Sequence, residues 1–171
     1  MNRHQANWFR VSSLSVLIFV ASQASALDGT LFPLTPDSTL TPGSVCQHPS
    51  ERRYHERISY CERSVSTRAK DQVIENYDQQ LHFSIGELKR SDFKIDHFIP
   101  LSLGGSNESS NLWPQHRSVY TLTDPVEEKL FRLLSTTRIT QAEAIATIKH
   151  VKNNVDESDE INEDLEGLLK H

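Results

Sequence analysis

Residues 93–98, Phe-Lys-Ile-Asp-His-Phe, constrain this chain more than any other stretch. Phe93 and Ile95 alternate with polar neighbours, the period of a half-buried strand, so 93–98 is predicted to be one. Asp96 and His97 stand side by side near its end. Adjacent strand residues point to opposite faces. A site that uses both side chains therefore needs the backbone to bend just after His97. Pro100 supplies a bend, Gly104 and Gly105 allow the positive φ of a tight turn, and Ser106 and Asn107 can close that turn through side chain to backbone bonds. The short apolar run Leu112-Trp113-Pro114 then brings the chain back as a second strand.

The stretch 95–115, IDHFIPLSLGGSNESSNLWPQ, resembles the core of the HNH endonucleases, the ββα-metal nucleases. Taken singly, an Asp-His pair is an ordinary solvated pair and Gly-Gly-Ser-Asn an ordinary turn. Their order, completed by Asn111-Leu112, carries the resemblance. It is strong over 93–116 and extends more weakly to about residue 154. It implies an α+β fold, a small ββα-metal (HNH-like) core with flanking helices around one divalent metal ion. Mg²⁺ is the first expectation for that ion, with Mn²⁺ or Zn²⁺ as alternatives.

The resemblance also implies roles. His97 looks like the general base, because a neutral imidazole takes a water proton near pH 7. Asp96 looks like a metal ligand, a hard oxygen donor suited to Mg²⁺ or Mn²⁺. Asn111 is expected to tie the loop back towards His97. The family places a further His or Asn ligand on the next helix, roughly ten residues after Asn-Leu, where this chain has Val119, Tyr120, Thr121 and Leu122. His116 is expected to take that place, with Asp124 in reserve. Arg117, Lys94 and Arg90 are expected to hold substrate phosphate.

The rest of the chain frames this segment. Residues 1–26 read as a secretory signal peptide, with Arg3 and Arg10 before an apolar run and Ala24-Ser-Ala26 as the cleavage site. Residues 27–45, with Pro33, Pro36 and Pro42, read as an extended linker from which Phe32 and Leu34 can dock. Cys46 and Cys61, the only cysteines, are expected to pair in an exported chain. Residues 46–155 form the expected nuclease domain. Helices are predicted over 66–81, capped by Ser66 or Thr67, over 125–134 after Thr123-Asp124-Pro125, and from Thr140, where Glu143 completes a capping box. Residues 156–171 form an acidic tail that suits either a weak amphipathic helix or disorder.

Charge limits the function classes. Once Arg3 and Arg10 leave with the signal peptide, sixteen basic side chains face twenty-three acidic ones, a net charge of −7. Seven acids against Lys170 put −6 of this on the tail. A body near neutrality is not the profile of a tight nucleic-acid binder. A metal-assisted hydrolase that binds its substrate transiently is compatible with it.

The sequence therefore points to an exported endonuclease, periplasmic or extracellular, acting on DNA or less favourably on RNA. No stable membrane association is expected after signal cleavage. The alternatives are a catalytically inactive HNH-fold nucleic-acid or metal binding module, a secreted nuclease toxin with an inhibitor protein, and an exported structural protein whose Asp-His pair is incidental. The acidic tail is a candidate competitor of nucleic acid for the groove.

Overall fold

A computed structural model describes residues 31–170; the signal peptide expected over 1–26 lies outside the described residues. The protein is α+β. In chain order it comprises β1 (Glu51–Arg53), β2 (Ile58–Tyr60), α1 (Thr67–Leu81), β3 (Phe93–His97), β4 (Leu112–His116), α2 (Arg117–Ser135), α3 (Gln141–Asn153) and α4 (Ser158–Lys170). The strands form two separate antiparallel hairpins, β1–β2 and β3–β4.

The β3–β4 hairpin is the centre of the molecule. Its register pairs Phe93 with His116, Ile95 with Pro114 and His97 with Leu112, and on alternate positions Lys94 with Gln115 and Asp96 with Trp113. Partners directly across a ladder share a face. His116 thus lies on the face of Phe93 and Ile95, opposite to that of Lys94 and Asp96. The first face packs with Val73, Tyr77 and Phe32 in one apolar cluster. On the other face, Gln115 Nε2 donates to Thr123 Oγ1 of α2 at 2.8 Å, with both residues fully buried.

Helix α2 begins earlier than predicted. Thr123-Asp124-Pro125 is not its start; the helix begins at Arg117, and His116 caps it by accepting from the Ser118 amide at 3.3 Å. Pro125 therefore sits inside the helix, where it cannot donate to the carbonyl of Thr121. Thr121 and Pro125 are both exposed, so that carbonyl faces solvent and the proline is tolerated. The other helix starts follow the local chemistry. Ser66 accepts from the Ala69 amide at the start of α1, and Thr140 and Glu143 form the full capping box of α3.

A second apolar cluster joins Val126, Leu130, Leu133 and Leu134 of α2 to Ala144, Ile148 and Val151 of α3 and Leu165 of α4. The acidic tail is therefore a helix seated on α2. Its apolar stripe of Ile161, Leu165 and Leu169 supplies the burial, and Lys129 of α2 donates to Asn162 Oδ1 at 2.7 Å and pairs with Glu166 at 3.4 Å, offsetting part of the tail's charge. Among the described residues no helix is long and apolar enough to cross a membrane.

Residues 31–45 form an extended strap docked along the body. Phe32 is buried and stacks on the His116 ring at 3.8 Å. Thr41 Oγ1 donates to the Leu112 carbonyl at 2.9 Å and pairs with the Tyr77 hydroxyl at 2.8 Å. The strap leads into the Cys46–Cys61 disulfide, whose Cα atoms are 5.6 Å apart. A bridge closing a loop of this size contributes about 3 kcal/mol in the chain-entropy model.

The docking of α4 predicts that Leu165→Ala will lower the unfolding free energy by about 2–3 kcal/mol, as for other buried leucines cut to alanine. Urea denaturation measures this, and an unchanged midpoint would mean that α4 does not pack on α2.

Candidate metal centre

Asp96 is the only carboxylate of β3. It faces α2, and the early start of that helix brings two more acids to it. Asp124 and Glu127 lie three residues apart, so they share one helix face. One carboxylate oxygen from each of Asp96, Asp124 and Glu127 lies within 4.8 Å of the others. They line a cleft of about 390 Å³ with Arg63, Lys94, Ser102, Glu128 and Phe131.

Two ammonium groups reach into this cluster. Lys94 Nζ donates to both oxygens of Asp124, at 2.9 and 2.8 Å, and lies 3.3 Å from Asp96 Oδ2. Lys152 comes from α3 and is fully buried. Its Nζ donates to the His97 carbonyl at 2.7 Å and lies 3.6 Å from Asp96 and 3.5 Å from Glu127. Burial alone would raise the Asp96 carboxyl, but Lys152 and Lys94 outweigh it and hold that carboxyl below the usual range. Burial dominates at Glu127 and pushes it up, against the pull of Lys152.

The residues fit a divalent ion. Asp96 Oδ2 is buried and accepts no hydrogen bond, although two ammonium groups stand near it. Its close polar neighbours are these two ammonium groups, at 3.3 and 3.6 Å, and a divalent cation ligated there would give it a direct contact. The donor set is all carboxylate oxygen, which suits Mg²⁺ or Mn²⁺. Zn²⁺ favours nitrogen and sulfur ligands, and the cluster contains neither.

His97 follows Asp96 in the strand. It is 2 % exposed and is not among the residues lining the cleft. Burial holds its imidazole below the ordinary value despite the Asn107 bond and the Asp96 charge, so the ring is neutral near pH 7. Asn111 is completely buried and ties the loop after β3. Its side chain accepts from the Ile99 amide and donates to the carbonyls of Ile99 and Ser106, all at 2.9 Å. Gly105 is required in that loop, because a Cβ there would fall 1.8 Å from the Ile99 carbonyl oxygen.

His116 is not brought to Asp96. The register sends it to the other face of the hairpin, where it caps α2 and stacks on Phe32. The reserve residue Asp124 stands in the cluster instead, joined by Glu127. Arg90 and Arg117 also lie outside the cleft lining. The Arg90 guanidinium donates to the Phe93 carbonyl at 2.8 Å and covers the Phe93 ring. Of the three expected phosphate-binding residues only Lys94 lines the cleft, and Arg63, just after the disulfide, is the other basic residue there.

Sequence reasoning missed Glu127 and Lys152. The i, i+3 spacing of Asp124 and Glu127 was a signal for the first, hidden by placing a helix start between Thr123 and Pro125. Lys152 carried no local signal, since it lies among apolar residues of α3 like an ordinary exposed lysine. No described residue of the acidic tail lines the cleft.

Lys152→Met should destabilise the protein by about 3–5 kcal/mol in the presence of chelator, because it leaves Asp96 and Glu127 without a buried counter-charge. Equilibrium denaturation tests this; a stability equal to wild type would show that the ammonium does not hold the cluster.

Compared with known proteins, no family model, no curated protein and no solved structure matches this chain.

Proposed function

We propose that this protein is an exported, metal-dependent endonuclease of the ββα-metal kind, which hydrolyses phosphodiester bonds of DNA, and secondarily RNA, without selecting sequence. The convergence of Asp96, Asp124 and Glu127 beside the Asp-His strand end carries this reading. Those three carboxylates would hold one divalent ion, Mg²⁺ or Mn²⁺. When bound, such an ion supplies Lewis-acid stabilisation of charge on the phosphate and leaving oxygen.

The chain's own residues do the remaining work. His97, neutral through burial, accepts a proton from the attacking water. Water then adds to phosphorus as the bond to the leaving oxygen breaks. Arg63 and Lys94, on the cleft wall, attract the phosphate oxygens. Asn111 keeps the loop after His97 in place through its bonds to Ile99 and Ser106. Export is supported by the disulfide, which suits an oxidising compartment.

A second reading, a metal-binding module without catalysis, is favoured by the 2 % exposure of His97, which limits access of water to the ring. Cleavage decides between the two. With Mg²⁺ or Mn²⁺ the oxidised protein should nick plasmid DNA, chelator should stop it, and folded His97→Ala should lose about 10²–10⁴-fold in rate. Metal binding without cleavage would select the module. Titration with Mn²⁺ should show Asp124→Asn and Glu127→Gln weakening binding by at least the roughly 10–100-fold that loss of an outer-sphere partner costs. His116→Ala should leave it unchanged; a large loss there would overturn the assignment of the cluster.

A further inference from the structure

Asn107 stands apart from the residues already given a role. Its side chain bridges the His97 ring and the segment after the disulfide. Asn107 Nδ2 donates to the Glu62 carbonyl at 2.8 Å, which turns Oδ1 towards His97 Nε2, 3.1 Å away. A flipped amide would set Oδ1 against the Glu62 carbonyl, two acceptors facing each other, so the orientation is determined. Oδ1 can only accept. The hydrogen of the neutral His97 ring is therefore on Nε2, and Nδ1 carries the lone pair.

The disulfide holds both sides of this bridge. Cys46 ends a segment that runs beside the loop carrying Asn107. The Cys46 amide donates to the Gly104 carbonyl at 2.9 Å, the Ser106 amide donates to the Ser44 carbonyl at 3.0 Å, and Val45 bridges Gly105. Cys61 immediately precedes Glu62, the residue whose carbonyl orients Asn107. Residues 61–66 have no strand or helix of their own. The sulfur bridge ties Glu62 directly to the segment beside Asn107, between Ile58 and Val65, which pack in the two apolar clusters.

We propose that Asn107 is a positioning residue that sets the tautomer of His97, and that the Cys46–Cys61 disulfide acts on the site by fixing the Glu62 carbonyl that orients it. This rests on His97 being the general base of the nuclease reading. Under that reading Nδ1 is the atom that takes the proton, and a chain lacking the bridge has a base whose lone pair is divided between two nitrogens. The same segment carries Arg63, so loss of the bridge loosens a phosphate-binding residue at the same time.

Nitrogen-15 correlation spectra of the histidine rings test the proposal without needing activity, with His97→Gln identifying the signal. The disulfide-bonded protein should show His97 protonated on Nε2. Asn107→Ala, which keeps the disulfide, should give a mixture of tautomers. The Cys46→Ala/Cys61→Ala protein should shift in the same sense as Asn107→Ala. In cleavage assays Asn107→Ala should lower kcat about 10–100-fold while KM stays within about twofold. An Nδ1–H ring in wild type, or an unchanged ring in folded Asn107→Ala, overturns the proposal even if cleavage depends on His97. A protein that never cleaves, yet shows these ring spectra, overturns the nuclease reading and leaves the tautomer assignment standing.

Discussion

One ammonium group without solvent contact holds the centre of this molecule together. Lys152 Nζ binds the carbonyl of His97 and stands between Asp96 of β3 and Glu127 of α2. Removing an ammonium from water costs several kcal/mol, recovered only with good geometry and buried partners of opposite charge. That demand fixes three elements relative to one another, because α3, β3 and α2 each contribute a group to the same few ångströms. Apolar packing between α2 and α3 brings these helices together. The ion cluster adds a polar tie between both helices and the strand, with Glu127 and Asp124 of α2 beside Asp96.

The loop that follows β3 is held by polar bonds in place of apolar burial. Asn111 satisfies backbone groups at both ends of it, and Gly105 gives the Ile99 carbonyl the space it needs. The strap closes over the outside, with the Gly43 amide donating to the Ser110 carbonyl at 2.8 Å and Lys149 of α3 donating to the Pro42 carbonyl at 3.0 Å. A segment with three prolines and no periodicity thereby becomes part of the body. Its order comes from hydrogen bonds to the loop and from Phe32 and Leu34 packing on the hairpin, neither of which needs a regular backbone.

Much of this was legible in the sequence where the signal was local. The hairpin followed from alternation and the turn residues, α1 from the spacing of Val73 and Tyr77, α3 from its capping box, and the disulfide from the cysteine count. The site was legible only where it coincided with the strand. His116 was preferred to Asp124 by its distance along the chain, whereas the pleat of β4 decides the matter and sends it to the wrong face. Glu127 and Lys152 meet Asp96 across thirty-one and fifty-six residues, and nothing in their neighbourhoods marks that meeting. The tail shows the same limit. Its composition suits disorder as well as a helix, and the choice depends on the apolar face that α2 offers it.

The groups that meet at and beneath the cleft are spread over about half of the chain, from Arg63 through Asp96, Asp124 and Glu127 to Lys152. Synthesis proceeds from the N-terminus. A nascent chain that has released its strands and α2 already displays all three carboxylates, but it has no ammonium from α3 to draw them inward. The cleft is thus complete only once α3 has joined the strands and α2. A fragment ending before residue 152 has the recognisable Asp-His segment and lacks the arrangement built around it.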